Sequence, residues 1–177
     1  MNKILIVIDY QNDFVNGSLG FSGAEFLDEG IASKVLEYGR GKVFFTRDTH
    51  QENYLETLEG KHLPISHCIK ESEGWQIYGK TAEALKLVNA IGFDKRSFGL
   101  DIDNETNGQL PQKIDSIELV GLVSNICVLS NAVVLRTKYP ETQIIVDASL
   151  TASFDSSLNE KALDVMHGLQ IEVINRR

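Results

Sequence analysis

The sequence has little that could staple or stiffen the chain from outside its core. Two cysteines and three prolines among 177 residues are too few for a disulfide scaffold or a proline-rich spacer. Basic residues are also in the minority, 17 Lys and Arg against 25 Asp and Glu, for a net charge of −8. That balance argues against a surface that holds nucleic acid or an anionic membrane through basic patches. No apolar run is long enough to span a bilayer, and Met1-Asn2-Lys3 leads straight into a strand pattern rather than a signal peptide. The expected setting is the cytoplasm, where Cys68 and Cys127 have no need to pair. Repeats and low-complexity tracts are missing too. What is present, 42% hydrophobic residues, suffices for one domain over residues 1–177 with a sizeable core.

Strand and helix signals alternate along the chain. Apolar, β-prone runs predict strands at Ile4 to Ile8, Val43 to Thr46, Ile91 to Lys95, Ser116 to Val123, Thr142 to Val146 and Leu169 to Ile174. Helical spacing is found from Ala24 to Glu37, where Gly39 is a stop signal, and from Thr81, a candidate N-cap, to Val88. Two further helices are expected, one after Cys127 to about Lys138, ahead of Pro140, and one from an Asp155 cap through Met166. Thr49 to Lys80 shows no sustained period, and a loop that long in a compact domain usually carries function. The pattern predicts a three-layer α/β fold, with a mostly parallel six-stranded sheet and helices on both faces.

In such sheets ligands bind beyond the carboxyl ends of the strands. Asp9 ends the first strand, Asp48 the second and Lys95 the third, and Cys127 follows the fourth. Each has a plain explanation alone. The acids suit turns, the lysine suits solvent, and a free Cys is most often a small core hydrophobe. Their joint placement at one sheet edge favours chemistry instead. The run Val120 to Val134 reads as strand, turn and helix N-terminus, with Cys127 near free backbone N–H groups that would favour a thiolate and could hold an oxyanion. An Asp could take the thiol proton and return it to a leaving amine, and a Lys could supply the counter-charge. A structural Asp9–Lys95 ion pair would perturb the same groups without catalysis.

Four segments now carry a resemblance: Ile8-Asp9-Tyr10-Gln11-Asn12-Asp13-Phe14, Phe45-Thr46-Arg47-Asp48-Thr49-His50, Lys95-Arg96-Ser97-Phe98-Gly99 and Gly121 to Val128. In this order the chain resembles the isochorismatase-like cysteine hydrolases, and within them the nicotinamidase/pyrazinamidase branch, over nearly its whole length. The resemblance implies that the sheet is Rossmann-like, and it implies hydrolysis of a small amide, nicotinamide to nicotinate and ammonia, through a cysteine thioester. It assigns Cys127 as nucleophile, Asp9 as proton acceptor, Lys95 as third triad member, and the backbone N–H groups of Val123 and Cys127 as the oxyanion hole. It also implies a cis peptide at Leu122-Val123 and makes Phe14 a pocket-wall aromatic. Trp75 and Tyr78 are further pocket candidates, while Cys68 reads as structural. The family often forms dimers or tetramers, so a homo-oligomer is an expected partner state.

Asp48, His50 and His67 with one more oxygen ligand would make a mixed N/O site suited to a divalent metal such as Zn²⁺. The branch holds a metal with an equivalent Asp-x-His pair and a later His. This chain departs from it in having Asn53-Tyr54 where another His usually stands, so Glu59 is the expected fourth ligand, with Glu56 and His62 as rivals. It also has Glu71-Ser72-Glu73-Gly74 where the branch usually shows Gly-Thr-x-Gly. Two other readings therefore stand beside nicotinamidase. One is a family hydrolase of another small amide, such as an N-carbamoyl compound or ureide, and the other a catalytically idle binding or scaffolding protein.

Overall fold

A computed structural model describes residues 2–176. Its six strands are β1 Lys3–Ile8, β2 Val43–Asp48, β3 Ile91–Lys95, β4 Ser116–Leu122, β5 Gln143–Ala152 and β6 Glu172–Ile174. They form one all-parallel sheet in the order β3-β2-β1-β4-β5-β6. The helices are α1 Asn12–Val15, α2 Asp28–Tyr38, α3 Leu58–His62, α4 Gly79–Leu87, α5 Ile102–Glu105, α6 Leu129–Lys138 and α7 Ser156–Gly168. Among the described residues, no helix is long and apolar enough to cross a membrane.

Strand alternation builds the two cores. In β1, Ile4, Ile6 and Ile8 face the layer that contains Ala132 and Leu135 of α6 and Ala162, Leu163 and Met166 of α7. Leu5 and Val7 face the opposite layer, with Ile31, Ala32 and Val35 of α2 and Ala84 and Leu85 of α4. A central parallel strand covered on both faces has to be apolar throughout, which is why β1 reads as an unbroken hydrophobic run. The strand order reverses between β1 and β4, so the chain leaves both carboxyl ends at the switch point, Asp9 from one and the turn to Cys127 from the other. At that junction Gly121 is indispensable. Its φ is +112°, and a Cβ there would lie 2.1 Å from the Ile8 carbonyl oxygen.

Several element ends differ from the expected ones. The helix read as beginning at Ala24 is a 3₁₀ turn, Ala24–Leu27, followed by α2. Thr81 does not cap α4. It sits inside the first turn, and the Asp28 carboxylate, at the start of α2, accepts the N–H groups of Lys80 at 2.8 Å and Thr81 at 2.9 Å. A side chain distant in sequence thus supplies the cap. β4 stops at Leu122, one residue short of Val123, and the Leu122–Val123 peptide is cis. β5 runs on to Ala152 because its register with β4 shifts between Leu119 and Gly121 and pairing resumes at Thr151. β6 is shorter than expected, since Leu169 caps α7 and Gln170 turns with φ +63°.

Candidate active site

The cleft at the switch point is about 520 Å³, lined by Cys127, Val123 and Ile126 at its base, Asp48, Glu59 and His67 on one wall, and Phe14, Leu19, Leu63, Phe98 and Phe154 around it. Asp9 and Lys95 lie directly beneath, both fully buried. Lys95 Nζ is 2.8 Å from Asp9 Oδ2, 3.3 Å from Asp48 Oδ1 and 3.6 Å from Cys127 Sγ, and it donates to the Ser97 carbonyl at 2.9 Å. Asp9 Oδ2 has no well-angled hydrogen bond of its own; its contact with the ammonium is ionic.

Each carboxylate is held by neighbours that sequence spacing did not single out. Thr46 of β2 binds both the side chain and the backbone N–H of Asp9, whose φ of +42° is unusual for a residue with a side chain. Gln11 accepts the Asp48 N–H at 2.7 Å and donates to the Asp48 carbonyl at 3.0 Å and to the Trp75 carbonyl at 2.9 Å. Asp13 accepts the Cys68 N–H at 2.7 Å, and so fixes the segment that carries His67. Gln11, Asn12 and Asp13 thus tie the long loop to the sheet edge, through the Trp75 and Glu73 carbonyls and the Cys68 N–H.

Electrostatics separate the four groups. Burial raises the Asp9 pKa, and the Lys95 ammonium only partly opposes it. Burial acts on Asp48 in the same sense, but Lys95, His50 and His67 outweigh it and hold that carboxyl well below the ordinary range. For Lys95 burial favours the neutral amine, yet Asp9, Cys127 and Asp48 together raise its pKa, so it stays charged. The thiol differs from the sequence expectation of a favoured thiolate. Burial pushes the Cys127 pKa well above its ordinary value and Lys95 does not reverse this, so the resting group is the thiol. Cys127 also lies within a π turn, Ser124–Val128, in which the Ile126 and Val128 N–H groups both bond to the Val123 carbonyl. It is one turn ahead of α6, not at a plain helix start.

Asp48 faces two ways. Its Oδ2 is 3.1 Å from His50 Nε2 and 3.6 Å from His67 Nε2, and Glu59 Oε1 is 3.7 Å from His50 Nε2 and 3.9 Å from His67 Nε2. Ligand atoms of all four residues lie within 4.8 Å of one another. Around a tetrahedral Zn²⁺ with bonds of about 2.0–2.2 Å, neighbouring donors are roughly 3.4 Å apart, so the spacing suits a small divalent ion. His67 Nδ1 faces the Ile65 carbonyl at 2.8 Å, which leaves Nε2 aimed at the cluster, the usual outer support of a metal-bound imidazole. Glu59 enters the cluster because Leu58–His62 forms a helical turn; Glu56 and His62 are exposed, and His62 Nδ1 bonds to Leu58 instead.

Phe14 lines the cleft, its ring 5.6 Å from that of His67. Trp75 and Tyr78 do not. Trp75 packs under the Arg47 guanidinium and donates to Thr49 at 2.9 Å, while Tyr78 packs edge-on against Tyr10. The aromatic and aliphatic residues that do shape the mouth, Phe98, Phe154, Leu19 and Leu63, come from four separate segments, and no local pattern marks them. Cys68 is buried and unpaired.

The isochorismatase domain model matches residues 3–177. The nicotinamidase/pyrazinamidase of Mycobacterium tuberculosis (strain ATCC 25618 / H37Rv) is 25% identical over 185 aligned positions, covering 97% of this chain and 98% of that protein. Among solved structures, the nicotinamidase/pyrazinamidase of Bacillus subtilis superposes with a TM-score of 0.83 at 26% identity, covering 98% of this chain and 99% of the other. The pyrazinamidase/nicotinamidase of Streptococcus mutans UA159 gives 0.81 at 28% identity, over 97% and 99%. Fold and likeness together define a hydrolase of the class that cleaves amide carbon–nitrogen bonds. The chain belongs to the isochorismatase family.

Proposed function

We propose that this protein is a nicotinamidase that works through a Cys127 thioester. The observation that carries the reading is the contact of one buried ammonium, Lys95, with Asp9, Asp48 and Cys127 at 2.8, 3.3 and 3.6 Å, at the floor of a cleft walled by Phe14. As Cys127 Sγ attacks the amide carbon, its proton passes to Asp9, whose pKa is raised by burial above the ordinary carboxylate value, which strengthens it as a base. The carbonyl oxygen gains the negative charge, and the Val123 and Cys127 N–H groups are assigned to hold it. Asp9 then returns the proton to the departing nitrogen as the C–N bond breaks, so ammonia leaves and a thioester remains. Water attacks that thioester, giving one proton to Asp9. The C–S bond breaks, Asp9 returns that proton to sulfur, and the acid leaves as nicotinate, its remaining proton passing to solvent. Lys95 keeps its charge throughout and offsets the charge on sulfur.

Asp48, His50, Glu59 and His67 would hold the divalent ion, Zn²⁺ by its donor set of two nitrogens and two oxygens. Bound there, the metal would supply an electrophilic point that orients a ring nitrogen. Phe14 supplies a face against which a flat ring can stack. A neutral ring also suits the cleft wall, which among the described residues is lined by no Lys or Arg to meet a substrate carboxylate, as N-carbamoyl acids would require.

Ammonia release from nicotinamide, measured beside a panel of carbamoyl compounds and ureides, tests the assignment. Nicotinamide is expected to be turned over and Cys127→Ala to be inert yet folded. Unchanged release by Cys127→Ala would end the thioester mechanism.

A further inference from the structure

We infer that Asn131 is a positioning residue that sets the Lys95 ammonium and the Phe98 wall against Cys127. The inference rests on the reading of Cys127 as nucleophile. Asn131 is in the first turn of α6, four residues after Cys127, and is 1% exposed. Its Nδ2 donates to the Cys127 carbonyl at 2.8 Å and to the Phe98 carbonyl at 3.0 Å, and its Oδ1 accepts the Leu100 N–H at 3.0 Å. One amide therefore grips both ends of the Phe98–Leu100 segment and ties it to the backbone of Cys127.

That segment continues directly from the third strand. Ser97, next to Phe98, offers the carbonyl that accepts from Lys95 Nζ at 2.9 Å, and Phe98 itself lines the cleft. Gly99 lets the segment lie flat on α6, since a Cβ there would be 3.1 Å from Val134 Cγ2. The chemistry of the grip admits few other side chains. An Asp would turn an anion toward two carbonyl oxygens, and a Leu would leave a buried N–H and two carbonyls without this partner. Only an amide donates twice and accepts once in this arrangement.

The test compares wild type, Asn131→Leu, Lys95→Ala and the double variant by two readouts, nicotinamide hydrolysis and the rate at which iodoacetamide alkylates Cys127. Misplacing reacting groups by about an ångström can cost roughly 100-fold, and a loss of that order in kcat is expected for Asn131→Leu, with slower alkylation. In the Lys95→Ala background the same change should add little to the alkylation loss, because its effect runs through Lys95. Asn131→Ser, neutral and smaller, replaces Asn131→Leu in the same cycle if that variant does not fold. Alkylation at the wild-type rate, or slowed by an equal factor in both backgrounds, overturns the inference. Wild-type protein that ignores nicotinamide would instead count against the substrate reading, and the alkylation cycle would still decide the role of Asn131.

Discussion

Thr46 Oγ1 donates to Asp9 Oδ1 at 2.7 Å and accepts the backbone N–H of the same residue at 3.2 Å. The double contact crosses from β2 to the end of β1 and leaves Asp9 Oδ2 for Lys95. Thr46→Val keeps the shape and removes the hydroxyl. Hydrogen bonds to charged groups contribute about 1.5–3 kcal/mol, so kcat should fall roughly ten- to a hundredfold, while Thr46→Ser should retain most activity. Equal kcat for Thr46→Val and wild type would show that Asp9 is oriented by other contacts.

Metal removal should separate the two halves of the site. Stoichiometric divalent metal is expected in purified protein, and chelation or His50→Ala should sharply reduce nicotinamide hydrolysis. Cys127 should still be alkylated, because Asp9 and Lys95 remain beside it. His62→Ala, which removes an exposed histidine outside the cluster, should bind metal as wild type does. Full activity in metal-free protein would leave Asp48 and His50 with only a structural part.

Gly121→Ala places a Cβ 2.1 Å from the Ile8 carbonyl oxygen at a residue with φ +112°. Neither β1 nor β4 can yield there without breaking the sheet's central pairing. A loss on the order of 4 kcal/mol, or failure to fold, is expected in chemical denaturation.

A pH dependence of stability is expected from the buried network behind α2. Lys34 Nζ contacts Glu118 and is 2.6 Å from Asp147 Oδ2, and Asp147 also accepts from Ser149 and Asn175. Burial alone would raise the Asp147 pKa, but Lys34 and the Ser149 and Asn175 bonds outweigh it, so the folded value lies below the ordinary 3.8. A depressed folded pKa gives stability that is complete above the unfolded value and lost as pH falls through the folded one. Asp147→Asn should therefore be less stable than wild type at pH 7, with the gap closing below about pH 4. Urea titrations at pH 7, 5 and 3 measure it, and a gap independent of pH would rule the linkage out.

Much of the fold could be read locally. The apolar run of β1 and the spacing of α2 and α7 depend on burial of neighbouring residues, which sequence order records directly. The placement of Asp9, Lys95 and Cys127 at strand ends was legible for the same reason, because parallel topology carries every strand's carboxyl end to one edge. Sequence alone also ranked Glu59 ahead of Glu56 and His62, though by resemblance rather than by spacing.

Tertiary structure decided the rest. The capping of α4 by Asp28, the hold of Gln11 on Asp48 and the grip of Asn131 on Phe98 and Leu100 join residues 53, 37 and 31–33 positions apart. No periodicity encodes such pairs. Glu118 could not be foreseen as a buried strand residue, since its partners Lys34 and Tyr38 arrive from α2. The protonation state of Cys127 was likewise beyond local reading: residue types suggested a thiolate, while the depth of the cleft, a property of packing, keeps the proton on sulfur.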